Sequence, residues 1–517
     1  MRKILFLLGI LTPIFNLAQC FSDINGVRQE PVISTFATHG TGKYKNEILW
    51  LNWGAINPTD TKGSSRILSN SDYTNAEIKI NDNKFICLKT RILDVSKVSS
   101  DKINPIYSIM DESYTNADNS MFHILRSTND KNLSNIQFES FAFIRSREAI
   151  GKQYVDEPIK INGLIFADAE SANSVEYFNL SAKGKWNIIE FINLTNSKYN
   201  YNVKKEDVKI DNVPNGESKI TMGYGEDKRI AAIAMLKFNE DAYASRDNQY
   251  KVNYKSEFKG GGTTAIAIGL LTSYADFGDA PISYGSPIHF IENMETIPDN
   301  LGVVVDQTNI GKSTTFSSGA LIKPSNNFMG TLGPDPNPRP VYSEDALGDD
   351  YDYDYDYDQN NVRTVLTKEE DSWPASYNRF SYKTVEGSNY PIGAAIKAQI
   401  PVKTNVRAVL AGWIDFNING KFDQGERVYK EVAANTNGNV ELSWTIPLNR
   451  KPFSTFSRLR LFEFNHVSEN GILDPNLIVP SSDTLGGEVE DHKIQIISQA
   501  VSNPMLLNAT PIYNDRE

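Results

Sequence analysis

Between about residue 30 and residue 275, apolar and polar positions alternate in short runs, among them Phe85 to Leu93, Phe138 to Arg145, Trp186 to Leu194 and Ala231 to Phe238. Clusters of Asn, Asp, Ser and Gly separate them. A two-residue period places successive side chains on opposite faces of a strand, so each run predicts a half-buried β-strand and the series predicts a sandwich. The glycine-rich turn Lys259 to Thr264 leads into Ala265 to Leu271, an apolar run that predicts a closing strand. From Asp276 the character changes, with more Pro and Gly and fewer strands through Leu332 to Pro340. Alternation resumes at Ala394 to Val402, Arg407 to Ile414, Arg427 to Val432, Val440 to Ile446, Arg458 to Phe464 and Lys493 to Ile497. The pattern predicts an all-β chain with two β-sandwich-like domains in series after a signal peptide. The leader covers 1–20, the first sandwich 21–275, the second β domain 276–497 and a loose tail 498–517.

Length agrees with two domains, because 517 residues exceed the roughly 250 to 300 at which one hydrophobic core stops growing. The 24 Tyr and 25 Phe suit pleated, half-buried surfaces. A formal charge of −12 disfavours nucleic acid as a partner, since a phosphate backbone requires a Lys/Arg-rich face.

The N-terminus has the basic, apolar and small-residue regions of a secretory signal, in Met1 to Lys3, Ile4 to Phe15 and Asn16 to Cys20. Cleavage after Cys20 follows an A-x-small pattern. Cleavage before it leaves a lipid-modifiable cysteine at the new N-terminus, although Gln19 stands where a small residue is usual. No other segment approaches the roughly 20 apolar residues of a membrane span, so a secreted or cell-surface product is expected, soluble or lipid-anchored at Cys20. Only Cys20 and Cys87 exist, and with Cys20 at the edge of the leader no intramolecular disulfide is expected. Cys87 is then a small buried residue on a strand.

The strongest chemical signal is Asp415 to Glu426, D-F-N-I-N-G-K-F-D-Q-G-E. Asp415, Asn417 and Asn419 occupy positions one, three and five of a calcium loop, Lys421 offers its carbonyl at seven, Asp423 stands at nine and Glu426 at twelve. Gly420 is at position six, where the loop turns sharply. Calcium is a hard cation that takes six to eight oxygens in flexible geometry, and these donors would otherwise repel one another. The flanks are strand-like, so the loop ties two strands and does not join two helices. The competing interpretation is an Asp/Asn/Gly turn without an ion. A structural Ca2+ is the expected cofactor.

Two further acidic stretches could hold cations. Asp349 to Asp358 alternates Asp with Tyr, and Asp349 and Asp350 are the first candidates there. A solvated low-complexity loop is the simpler alternative. Glu488, Glu490 and Asp491 lie within four residues and need a cation or basic partners if buried.

Catalytic groups are hard to find. The five histidines, His39, His123, His289, His466 and His492, never stand in an H-E-x-x-H or comparable spacing, and no G-x-S-x-G elbow occurs. Ser99-x-x-Lys102 lacks its partner motifs. Paired carboxylates of a carbohydrate-active hydrolase remain compatible with 64 acidic residues, but no catalytic residue is assigned and a non-enzyme is expected. Trp50, Trp53 and Trp186 could stack on sugars or, more simply, pack a core.

Gly487-Glu-Val-Glu-Asp491, preceded by Trp413 to Glu426, resembles the GEVED domain of secreted bacterial adhesins. Asp276-Phe-Gly-Asp-Ala-Pro281, Ser283-Tyr-Gly285 and Ala346-Leu-Gly-Asp-Asp350 are similar to the lead-in of the same unit, over roughly residues 276 to 497. Asp356 to Val362 departs from the D-E-D-G-V-like run usual there, and His492 stands where Tyr is common. Upstream, Thr38 to Gly54 is similar to the opening of the second non-repetitive domain of CshA-type fibrillar adhesins. That resemblance implies a lectin-like β-sandwich for about residues 30 to 275 and a host or environmental glycan or matrix glycoprotein as partner. It names no ligand-binding residue. A structural surface stalk without its own ligand is the alternative.

Overall fold

The computed structural model describes residues 20–22, 30–36, 48–57, 60–101, 123–128, 133–147, 152–169, 174–184, 186–193, 202–208, 216–223, 232–246, 249–260, 264–271, 275–291, 327–334, 340–348, 371–373, 379–385, 395–447, 453–501 and 508–511. These residues form strands joined by turns and single 3-10 turns, so the chain is all-β.

The N-terminal half is built from two antiparallel sheets. One runs in the order Trp186–Asn193, Ala232–Phe238, Gly163–Asp168, Ala265–Leu271, Ile124–Ser127, Val98–Asp101 and Arg66–Ile67. The other runs Asn202–Val208, Glu217–Gly223, Tyr177–Lys183, Gln249–Lys259, Leu133–Ser146, Lys84–Ser96 and Tyr73–Asn81. Their inner faces share one core, as period-two patterning requires. Phe138 sits at its centre, opposite Ile92 on one neighbour and Tyr254 on the other, with ring centroids 5.0 Å from Tyr254 and 5.5 Å from Trp53. Burying one such side chain contributes about 1.5–3 kcal/mol.

The C-terminal half centres on Ala408–Ile414, buried along its whole length between Phe453–Glu463 and Arg427–Val432. Its side chains alternate between two cores. Ala408, Leu410 and Ile414 pack with Trp444 and Ile494, whereas Val409, Ala411 and Trp413 pack with Phe422 and Phe462. Gly412 is fixed by crowding, because a Cβ there would lie 2.5 Å from the Trp444 ring.

The halves are joined by the lead-in Ala275–Phe277, which pairs with Ile288–Phe290; the latter pairs in parallel with Thr484–Leu485. Ala275, Phe277, Ile288 and Phe290 belong to the core of the N-terminal sandwich. Asn81 Nδ2 donates to Ser286 Oγ over 3.0 Å, the Tyr342 hydroxyl to the Ile80 carbonyl over 2.9 Å, and Lys84 Nζ to Asp483. The segment after Asp276 is therefore packed against both halves.

Two sequence expectations are corrected. Cys20 is disulfide-bonded to Cys87, with Cα atoms 5.7 Å apart. A leader ending at Cys20, or a lipid on its sulfur, would leave Cys87 without this partner. In the structure Cys20 is fully buried beside Phe85 and Phe143, and its N–H donates to Glu77 Oε2 over 2.6 Å. A sulfur used in this way is not available for a lipid anchor. The tail expected to be loose contributes structure as well. Glu488–Val501 extends beyond residue 497, and Asn508–Pro511 pairs with Arg379–Val385 and Ala395–Lys403. The alternating Arg379–Val385, whose Phe380 and Tyr382 mark a strand, was the missed partner.

Candidate functional site

The acidic loop closes between Ala408–Ile414 and Arg427–Val432, as its strand-like flanks predict. Asp415 is fully buried at its start. Its Oδ1 accepts from the Asn419 N–H at 3.2 Å, and its Oδ2 accepts from the Gly420 N–H at 3.0 Å and the Tyr284 hydroxyl at 2.8 Å. Asn417 Oδ1 accepts from the Asn419 N–H and Asn419 Oδ1 from the Lys421 N–H, so each Asx side chain folds the backbone inward. The turn requires left-handed backbone at Ile418 (φ 55°) and Gly420 (φ 75°), which explains the glycine at position six.

Three of the expected ligands meet at one point. Asn417 Nδ2 and Asn419 Nδ2 lie 2.7 and 2.9 Å from Asp423 Oδ2. Lys421 is exposed. Glu426 has a different position, since its Oε1 accepts from the Phe416 and Asn417 N–H groups at 2.8 and 3.3 Å and its Oε2 from the Asp423 N–H at 2.9 Å. It stitches the two ends of the loop together. Burial raises the affinity of Glu426 for a proton, and those N–H donors oppose the shift. Among the described residues, no group of three or more His, Cys, Asp or Glu is arranged to hold a metal ion, so in this loop the amide side chains would have to complete the set.

The G-E-V-E-D stretch opens Glu488–Val501. Gly487 adopts φ 70° with no room for a Cβ against the Leu461 carbonyl oxygen. Asp491 finds a basic partner: Arg458 Nε and Nη2 donate to its two oxygens, each over 2.7 Å, and both side chains are fully buried. Asp491 also accepts from the Ala280 N–H at 2.9 Å. Asp491 therefore has the basic partner that the sequence pattern offers as the alternative to a cation. The remaining Arg458 hydrogens go to the carbonyls of Tyr284, Gly285 and Pro480. Gly278 is required here, because a Cβ would stand 2.6 Å from Arg458 Nη2.

Arg460, two residues on, donates from Nε to His289 Nε2 over 2.9 Å, while His289 Nδ1 faces the Gly486 carbonyl at 2.9 Å. Nδ1 carries the proton and Nε2 accepts. Burial and the adjacent Arg460 charge hold His289 well below the usual histidine range. Arg458, Arg460, His289 and Tyr284 are not among the site residues that the sequence pattern singles out. Two arginines at strand spacing opposite a three-carboxylate motif were the available signal.

Glu488 and Glu490 share the other face of the strand, fully buried. Asp349 and Asp350 lie outside the described residues. Trp50 and Trp53 are buried in the sandwich and are not sugar platforms. Trp186 begins a strand, and its side chain is not among those described. A cleft of about 400 Å³ opens where the halves meet, lined by Lys160, Asn162, Tyr250, Phe462, Leu477 and Asp483 among others.

The N-terminal half is thus a two-sheet sandwich, and the C-terminal half a second β domain with an acidic loop between two of its strands. Residues 46–271 match the family model described as surface adhesin CshA non-repetitive domain 2, and residues 409–495 match the GEVED domain. The two matches follow one another along the chain in the order that the sequence resemblance implies. No curated protein matches it.

Proposed function

We propose that the chain is a secreted or cell-surface adhesin that binds a glycan or matrix glycoprotein through its N-terminal sandwich and is stabilised by calcium. The observation that carries this reading is the match of 46–271 to a surface adhesin domain, and it favours binding over catalysis. The Cys20–Cys87 disulfide supports export, because such bonds persist in oxidising compartments. No helix among the described residues is long and apolar enough to cross a membrane.

The ligand seats in the cleft between the halves. Its volume lies in the range of about 300–1,000 Å³ typical of ligand sites, and domain junctions are favoured places for them. Tyr250 presents a partly exposed ring with Lys160 Nζ 5.4 Å from its centroid, beside Glu157 and Asp483. An aromatic face flanked by charged groups offers a sugar both an apolar surface and hydrogen-bonding partners. Calcium occupies the acidic loop at the point where Asn417, Asn419 and Asp423 converge, with Asp415 and the Lys421 carbonyl completing the set and Glu426 holding the loop closed. Loading requires the two amides to turn their oxygens inward.

The test is binding of the exported chain to an array of glycans and matrix glycoproteins, in calcium and in chelator, with Tyr250→Ala alongside. A calcium-sensitive hit lost in the variant is expected. A stable wild-type chain that binds nothing would instead support the alternative of a ligandless surface stalk, which the core shared between the halves also accommodates.

A further inference from the structure

Glu488 and Glu490 stand two apart on one strand and therefore on one face, opposite Leu461 and Leu459 in the neighbouring strand. That face points into an apolar core containing Trp373, Met329, Leu459 and Leu461. Their relative exposures are 1% and 0%. Each carboxylate uses only one oxygen: Glu488 Oε2 accepts from the Met329 N–H at 2.5 Å, and Glu490 Oε2 accepts from the Ser372 N–H at 2.9 Å and from the Ser372 hydroxyl. His492 Nε2 is 3.2 Å from the same Glu490 oxygen. Both Oε1 atoms are buried without a hydrogen-bond partner.

Two nearby carboxylates increase the imbalance. Asp276 accepts from the Val489 N–H at 2.6 Å, and Asp371 accepts from the Thr331 N–H at 2.8 Å. Both charges act on Glu488, as does Glu490 itself. The two buried arginines serve the opposite face, where Arg458 is committed to Asp491 and to backbone carbonyls, and Arg460 to His289, Val479 and Ser482. An isolated buried carboxylate costs several kcal/mol unless it is paired, hydrogen-bonded or bound to a metal. Two on one buried face, each with an unpartnered oxygen and with His492 reaching only the Oε2 of Glu490, would be stabilised by a cation held between them.

We propose that Glu488 Oε1 and Glu490 Oε1 bind a second structural cation, a hard divalent ion of the calcium type, distinct from the ion of the Asp415 to Glu426 loop. Two carboxylates leave most of a six- to eight-oxygen shell to backbone carbonyls and water, which calcium accepts and a site requiring strict geometry does not. The segments 327–331 and 371–373, whose N–H groups hold the outer carboxylate oxygens, close over this position, so the ion would lock them onto the last strand.

The test is the calcium content of the exported chain after exhaustive dialysis against trace calcium, read by atomic emission, for wild type, Asp423→Ala in the loop, and Glu488→Gln/Glu490→Gln. The expected contents are two ions, one and one. If the loop binds nothing but the pair does, wild type and Asp423→Ala both hold one ion and the double Gln variant none, so the two sites fail separately. The Gln variants keep side-chain size, and their folding is checked by the near-ultraviolet spectrum. Should they not fold, the chelator-induced loss of melting temperature in Asp423→Ala decides. A persisting loss supports the second ion, and no loss overturns it. A folded double Gln variant that keeps the wild-type content likewise overturns it and leaves the pair neutralised by protons.

Discussion

Arg458 and Asp491 meet through two parallel hydrogen bonds of 2.7 Å each, with both side chains fully buried. The pair joins the last long strand to the lead-in, since Asp491 also holds the Ala280 N–H and Arg458 the Tyr284 carbonyl. Removing one partner strands the other as a buried charge, at a cost of about 3–5 kcal/mol. Arg458→Ala and Asp491→Ala should each destabilise the C-terminal half by this amount in chemical denaturation. The double variant should cost less than the sum of the two. Additive losses would show that the charges do not act as a pair.

His289 supplies a pH dependence. Its folded-state affinity for protons is depressed by burial and by Arg460, so the unfolded chain protonates first as pH falls. The stability it contributes is present above the unfolded histidine value near 6.5 and declines below it. The slope should approach about 1.4 kcal/mol per pH unit until other groups titrate. His289→Asn should lower stability at about pH 7.5 and flatten the decline towards about pH 5.5, measured by denaturant midpoints at fixed calcium. A variant as steep as wild type would place the titration elsewhere.

The Cys20–Cys87 disulfide closes a separation of 67 residues. In the chain-entropy model a loop of that length contributes about 4 kcal/mol by restricting the unfolded state. Cys87→Ser should therefore lower the melting temperature of the exported chain, and reducing agent should lower that of wild type while leaving the variant unchanged. Intact mass of the wild type should show Cys20 retained and two hydrogens missing. A mass that lacks Cys20, or that carries acyl chains on it, would contradict the bond.

Strand positions were legible from alternation at Arg427–Val432 and from a continuous apolar run at Ala265–Leu271, both of which coincide with their predicted runs. Arg379–Val385 has only Phe380 and Tyr382 as large apolar residues in its alternation, too short a signal to stand out, and Asn508–Pro511 pairs with it. The loop was legible because all its donors are consecutive. Glu426 is expected at a ligand position, and the turn geometry adds that its carboxylate accepts three backbone N–H groups, which the sequence pattern does not show. Arg458 and Arg460 stand at strand spacing in the sequence, but the pairing of Arg458 with Asp491, 33 residues on, is a cross-strand relationship that no local pattern specifies. Cys20 was misassigned for a different reason, because leader chemistry and disulfide chemistry place the same residue type at the same position.

The loop allows its two kinds of carboxylate to be separated. Asp423 receives both asparagine amides, so Asp423→Ala removes the point of convergence but leaves the stitched backbone intact. Glu426→Ala removes acceptors from the Phe416, Asn417 and Asp423 N–H groups, and a charged acceptor for a buried donor contributes about 1.5–3 kcal/mol. With calcium at about a hundred times its dissociation constant, binding to the native state adds roughly 2.7 kcal/mol. Asp423→Ala should thus match wild type in chelator and lose most of the gain on adding calcium. Glu426→Ala should be less stable than wild type in both. Calcium titrations of the melting temperature check this, and an Asp423→Ala variant that keeps the full calcium-dependent gain would remove the ion from this loop.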